Sequence, residues 1–213
     1  MSSQRLIPAA EARVETLAGN SRFIATVGPV FTTDEAKAFI ARIKAEFADA
    51  THNVPAYVIG HGQTTIAHCH DDGEPAGTAG RPMLAVLQGS GLGDVVVVVT
   101  RYFGGTKLGT GGLVRAYGDA VREALMAVPR AEKVATVMVM AEVPYPLLES
   151  ARRLVAAQDG VMLEESFAAE ITLTARFRRE RYAAFAAALR ELSHGAIEAI
   201  VVEENEATIM PLS

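Results

Sequence analysis

DDGEPAGTAGRPMLAVLQGSGLGDVVVVVTRYFGGTKLGTGGLVRAYG, residues 71–118, holds the segments from which the fold is read. At its centre Asp94 leads into Val95 to Val99, five valines in a row. An apolar run without alternation predicts a strand covered on both faces, in the middle of a sheet. TRYFGGTKLGTGG follows, and then a helix predicted over 113–128, with Val114, Tyr117, Val121 and Leu125 as its apolar stripe and Pro129 as its stop. Upstream, the apolar spacing over 78–87 predicts another helix, with Pro82 in the first turn, where a missing amide hydrogen is tolerated. Glycines at this density weaken any helix or strand, so bends or close backbone approach explain them better.

Working outward, residues 12–31 read as two strands around the turn Gly19-Asn20-Ser21. Thr32 and Glu35 have capping-box spacing, and Phe39, Ile40, Ile43 and Phe47 recur at helical intervals behind them. Residues 56–60 and 64–68 read as paired strands across Gly60-His61-Gly62. Further on, the pattern is strand 135–143, helix 147–158, strand 161–167, strand 170–177, helix 181–192 and strand 196–202. That order is the split β-α-β, ferredoxin-like plan. The expected architecture is α+β in two domains, 12–130 and 131–206, with tails at 1–11 and 207–213.

The 213 residues carry a net charge of −5, which argues against a generally basic nucleic-acid binder. The charge is uneven: residues 1–130 hold 12 Lys+Arg and 12 Asp+Glu, whereas residues 131–213 hold 8 and 13. Between residues 77 and 122 five cations (Arg81, Arg101, Lys107, Arg115, Arg122) face two anions, Asp94 and Asp119. An anion-attracting surface on an acidic protein is the implication. No run approaches the roughly 18 apolar residues of a membrane span, and MSSQRLIPAAEAR lacks an apolar signal core, so a soluble, cytoplasmic protein without membrane contact is expected. The single cysteine, Cys69, excludes an intramolecular disulfide and a cysteine-only zinc site.

The order strand, GGTKLGTGG, helix makes an anion cradle plausible: glycines let amide hydrogens converge, and a helix N-terminus is partly positive. Lys107 and Arg115 would add full charges. The string is neither a Walker loop nor a dinucleotide fingerprint, and a tight connection that only solves a packing problem is the plain alternative. Asp71, Asp72 and Glu74 could hold magnesium or share a proton, or else accept amide hydrogens at the start of the helix after Gly77, which Thr78 could also cap. His68, His70 and Asp72 satisfy the H-x-H-x-D part of a metallo-hydrolase string, but Gly73 replaces its final histidine. Cys69 beside two histidines reads as a nucleophile or, more simply, as a small buried hydrophobe. Arg176, Arg178, Arg179 and Arg181 are either phosphate contacts or a solvated junction between strand and helix.

HNVPAYVIG, DDGEPAGTAGRPML and VVVVVTRYFGGTKLGTGGLVRAYG, with the length of the chain, resemble the IMPACT/YigZ family over roughly residues 12–205. Three positions depart from it: Val54 stands where cysteine is frequent, Val58 where arginine is common and His70 where serine is usual. The resemblance implies a first domain like the second domain of ribosomal protein S5 and a ferredoxin-like second domain. Together they look like domains IV and V of elongation factor G, which meet the ribosome and its RNA. No catalytic residues come with it and no cofactor is called for. The expected function is translation-linked regulation without catalysis, through RNA or a ribonucleoprotein. Arg81, Arg101, Lys107 and Arg115 would face phosphates, Gly104, Gly105, Gly109, Gly111 and Gly112 would allow close approach, and Tyr102 or Phe103 would stack on bases. The alternatives are a magnesium-dependent phosphate- or nucleotide-binding enzyme and a protein-interaction adaptor.

Overall fold

A computed structural model describes residues 5–62 and 65–212, and the backbone alone of residue 211. The chain divides into two compact units, residues 1–132 with 210–213, and residues 133–209. The architecture is α+β in both.

In the first unit, β1 (Leu6–Pro8) precedes the hairpin of β2 (Ala12–Ala18) and β3 (Ser21–Pro29). Helix α1 (Thr33–Glu46) follows, with Thr32 Oγ1 accepting the Glu35 amide at 3.1 Å. The Glu35 carboxylate in turn takes the Phe31 amide at 2.7 Å, so the capping signal reads through to geometry. Strands β4 (His52–Ile59) and β5 (Ile66–Cys69) pair antiparallel, Ile59 opposite Ile66. The expected second strand thus sits two residues later at its start, and Thr64 lies outside the described residues. Helix α2 (Gly80–Gly89), strand β6 (Val95–Tyr102) and helix α3 (Gly109–Ala127) complete the unit.

The sheet order is β2-β3-β6-β4-β5, which puts the valine strand in the middle. Every pairing is antiparallel, so the unbroken valine run reflects helices on both faces and not a parallel sheet. Val95, Val97 and Val99 pack with Tyr117, Val121, Met83 and Leu87 of α2 and α3. Val96 turns to the other face, where Tyr57, Ile59 and α1's Ala36 close a smaller core.

Helix α3 starts at Gly109, four residues before the expected start, so much of the glycine run is its first turn. Its buried stripe is Leu113, Ala116, Tyr117, Ala120, Val121, Ala124 and Leu125, so Tyr117, Val121 and Leu125 of the expected stripe face inward while Val114 is 40% exposed. The second unit follows the expected βαββαβ order, with β7 (Arg130–Val143), α4 (Leu148–Ala157), β8 (Val161–Phe167), β9 (Ile171–Arg178), α5 (Arg179–Leu192) and β10 (Ile200–Pro211). β9 lies between β7 and β8, β10 also pairs with β7, and β1 pairs with the first residues of β7. Phe177 of β9 stacks on Phe185 of α5 with ring centroids 4.2 Å apart. Two stretches read as tails carry strand instead: β1 lies within 1–11, and β10 starts four residues later than expected and runs through the first part of 207–213.

Val97 is fully buried in the larger core. Val97→Ala deletes two methyl groups and leaves a cavity, for an expected cost of about 2 kcal/mol in chemical denaturation.

Candidate functional site

The DDGEP loop is built from main-chain geometry outward. Asp71 accepts the amides of Gly77 (2.8 Å), Ala79 (3.2 Å) and Gly80 (2.8 Å), and so caps α2, whose Ncap residue, Ala79, has no capping side chain. Gly80 is required here, because a Cβ would stand 2.9 Å from the His70 carbonyl oxygen. Burial would raise the Asp71 carboxyl, but the amides of Gly77, Gly80 and Ala79 outweigh it and hold it below its ordinary value. Asp72 sits at φ +49° and bridges Lys44 Nζ at 2.5 Å to the Asn53 amide at 2.7 Å. Burial opposes its ionised form too, and the Lys44 and Asn53 bonds prevail, so its value is also lowered.

Glu74 is buried, and one oxygen accepts both Arg101 Nη1 at 2.6 Å and the Tyr117 hydroxyl at 2.8 Å. The other oxygen faces His52 Nε2 at 3.8 Å. Burial, then the Glu74 carboxylate, push the Tyr117 hydroxyl far above its usual value, so it stays a phenol. Its ring meets Phe23 edge-on at 5.2 Å.

The three carboxylates therefore point to three different partners. Among the described residues no cluster of His, Cys, Asp and Glu could hold a metal ion, so the structure does not bring Asp71, Asp72 and Glu74 together on a cation. His68, His70 and Asp72 do not converge either. The His68 ring lies 5.4 Å from Tyr57, and His70 Nδ1 accepts the Asp72 amide at 2.9 Å. Burial, then the nearby Asp71, raise the Cys69 thiol, which opposes a thiolate.

Arg101 is corrected most clearly. It is 5% exposed, bound to Glu74 and to Ser21 Oγ (3.2 Å), with the rings of Phe23 and Phe103 each 5.5 Å from its guanidinium. A phosphate outside the fold does not reach it. Its place on β6 gave the signal: Val95, Val97, Val99 and Arg101 share one face, and the three valines point into the core. Tyr102 donates to Asp49 at 2.8 Å and carries Arg22 over its ring at 5.4 Å, whereas Phe103 is 45% exposed.

What stays open is the start of α3. Gly104 is packed, since a Cβ would fall 1.7 Å from the Asn20 oxygen, and one on Gly112 would crowd Leu108. Gly105, Gly109 and Gly111 have nothing within 4 Å of that position. Gly105 and Gly109 need their positive φ, but Gly111 is an ordinary helical residue whose missing side chain no packing demands. This helix has no capping side chain at Leu108 and no acid in its first turn, while α1 has a capping box and two acids. Lys107, Arg115 and Arg81 are exposed, with no ion-pair partner among the described residues. In the second unit Arg179 pairs with Glu204 (3.0 Å) and Glu206 (2.6 Å), and Arg181 with Asp159 (3.4 Å), as a solvated junction would.

These features define a two-domain α+β protein with an acidic loop engaged within the fold and an uncapped, glycine-lined helix start. The Impact N-terminal domain matches residues 19–125, and a domain of unknown function, DUF1949, matches residues 142–196. The chain is 38% identical over 200 residues to the IMPACT family member YigZ of Escherichia coli K12, covering 93% of this chain and 98% of that one. It is 54% identical over 111 residues to the IMPACT family member YvyE of Bacillus subtilis, about half of each chain. A crystal structure of a hypothetical protein, 37% identical, superposes with a TM-score of 0.61 over 96% of this chain and all of that one. The chain belongs to the IMPACT family.

Two outcomes follow for the acidic loop. Glu74→Ala strands the Arg101 charge and should cost about 3–5 kcal/mol in urea unfolding, whereas Glu74→Leu with Arg101→Met should recover part of that loss. Asp71 and Asp72 have lowered values, so their contribution to stability is complete above about pH 5 and is lost as acid titrates them below the unfolded value of about 3.9. Acid-unfolding curves of Asp71→Asn should therefore depend less steeply on pH in that range.

Proposed function

We propose that this protein acts by binding, as a translation-linked regulator that meets RNA or a ribonucleoprotein at the start of α3. The observation that carries the reading is Gly111, open and unconstrained in the first turn of a 19-residue helix that has neither a capping side chain nor an acid there. Bare amides at a helix start attract phosphate oxygens, and a glycine surface lets the backbone come close to them. Lys107 and Arg115 flank that surface with charge unpaired among the described residues, Arg81 on α2 is a third exposed cation, and Phe103 offers a ring for stacking. Arg101 no longer belongs to this set, and Gly104 and Gly112 serve packing. Translation is the setting because the two-domain order resembles the ribosome-facing domains IV and V of elongation factor G.

The magnesium-enzyme alternative loses its support, because each of the three carboxylates is already engaged within the fold. The test is binding of the full chain to purified ribosomes and to a labelled structured RNA across a salt series. Lys107→Glu with Arg115→Glu should weaken binding at least about tenfold and flatten the salt dependence by about two phosphate contacts. Gly111→Ala should stabilise the fold by about 0.5 kcal/mol and still weaken binding, a combination that a purely structural glycine would not produce. Unchanged affinity in both variants would sink the proposal.

A further inference from the structure

On the outer side of α2 and α3 lies a groove of about 710 Å³, lined mainly by apolar and small residues. Ala85 and Gly89 of α2 face Gly118 of α3 across it, so its floor is shallow in side chains and lets a third element come near. Val114 and Met126 stand on its α3 wall, 40% and 70% exposed. These are large apolar groups left in water, on a helix whose opposite face is packed on the sheet. The charge of the lining is one-sided. Arg122 and Arg130 contribute to it and no carboxylate does. Asp119 holds Arg122, while Arg130 is exposed with no ion-pair partner among the described residues.

We propose that this groove docks an acidic amphipathic helix from a partner protein. A helix fits better than an extended strand, because two α-helices offer no free backbone donors or acceptors to pair with a strand. A helix brings its own backbone already satisfied. Its apolar ridge would enter between α2 and α3 as one more helix in ridges-into-grooves packing. Met126 supplies an adaptable apolar contact, and carboxylates beside the ridge would meet Arg130 and the far edge of Arg122. RNA is the poorer occupant, because the lining contains no aromatic ring on which a base could stack. The surface is distinct from the glycine-rich helix start, so the two bindings are separable by mutation.

The experiment is fluorescence anisotropy of the full chain with a labelled, designed helical peptide of about five turns, carrying a leucine ridge flanked by glutamates. Its controls are a scrambled peptide and one with lysines in place of the glutamates. Saturable binding of the acidic helix is expected, at least about tenfold tighter than to either control, and lost by about tenfold in Met126→Glu. Arg130→Glu should swap the preference toward the lysine peptide. Because both side chains are exposed, each variant should melt like the parent and keep its RNA affinity. Three results would overturn the proposal: no saturable binding at about millimolar peptide, equal binding of the scrambled peptide, or a concentration-dependent dimer of the parent that Met126→Glu abolishes. The last would make a second copy of this chain the occupant.

Discussion

One buried carboxylate, Glu74, ties together three parts of the first unit that are far apart in sequence. Through a single oxygen it receives Arg101 from β6 and Tyr117 from α3, while its own loop starts α2. Removing a carboxylate and a guanidinium from water is costly, and their attraction offsets this only when further hydrogen bonds complete both groups. Here Tyr117 completes the acid, and Ser21 supports the arginine. Arg101 Nε is the one buried side-chain polar atom among the described residues with no hydrogen-bond partner. The cluster fixes where α2 and α3 begin relative to the sheet, and so where the glycine-rich connection must run.

That arrangement separates two kinds of charge that look alike in sequence. Asp71, Asp72, Glu74 and Arg101 are each engaged by a named partner within the fold. Lys107, Arg115 and Arg81 are held by nothing among the described residues and face outward. The same division sorts the glycines. Gly80 and Gly104 are demanded by backbones that approach too closely for a Cβ, whereas Gly111 is demanded by neither contact nor dihedral angle.

Much of the fold was legible because the governing signals are local. The valine run, the Thr32 and Glu35 cap and the element order of the second unit depend on neighbours a few residues apart, and each has its counterpart in the structure. Only the start of helix α3 lies ahead of its expected place, because glycines argue against helix by propensity, while a sheet beneath and Tyr117 anchored at Glu74 override that preference. Of its expected stripe Tyr117, Val121 and Leu125 do face the core, and only Val114 does not, Leu113 being buried in its place. The candidate site was only half legible. Residue type alone suggested that a cluster of acids binds a cation and that an arginine near glycines binds phosphate. Only the tertiary fold, which sets Glu74 against Arg101 across 27 residues of sequence, shows that they satisfy each other.

The most direct measurement of the central claim is hydrogen exchange of the full chain, free and bound to a structured RNA or a ribosome. Slowed exchange at the amides of residues 105–112, with the DDGEP loop unchanged, is the predicted result. Protection confined to the second unit, with the start of α3 exchanging as in the free protein, would contradict it.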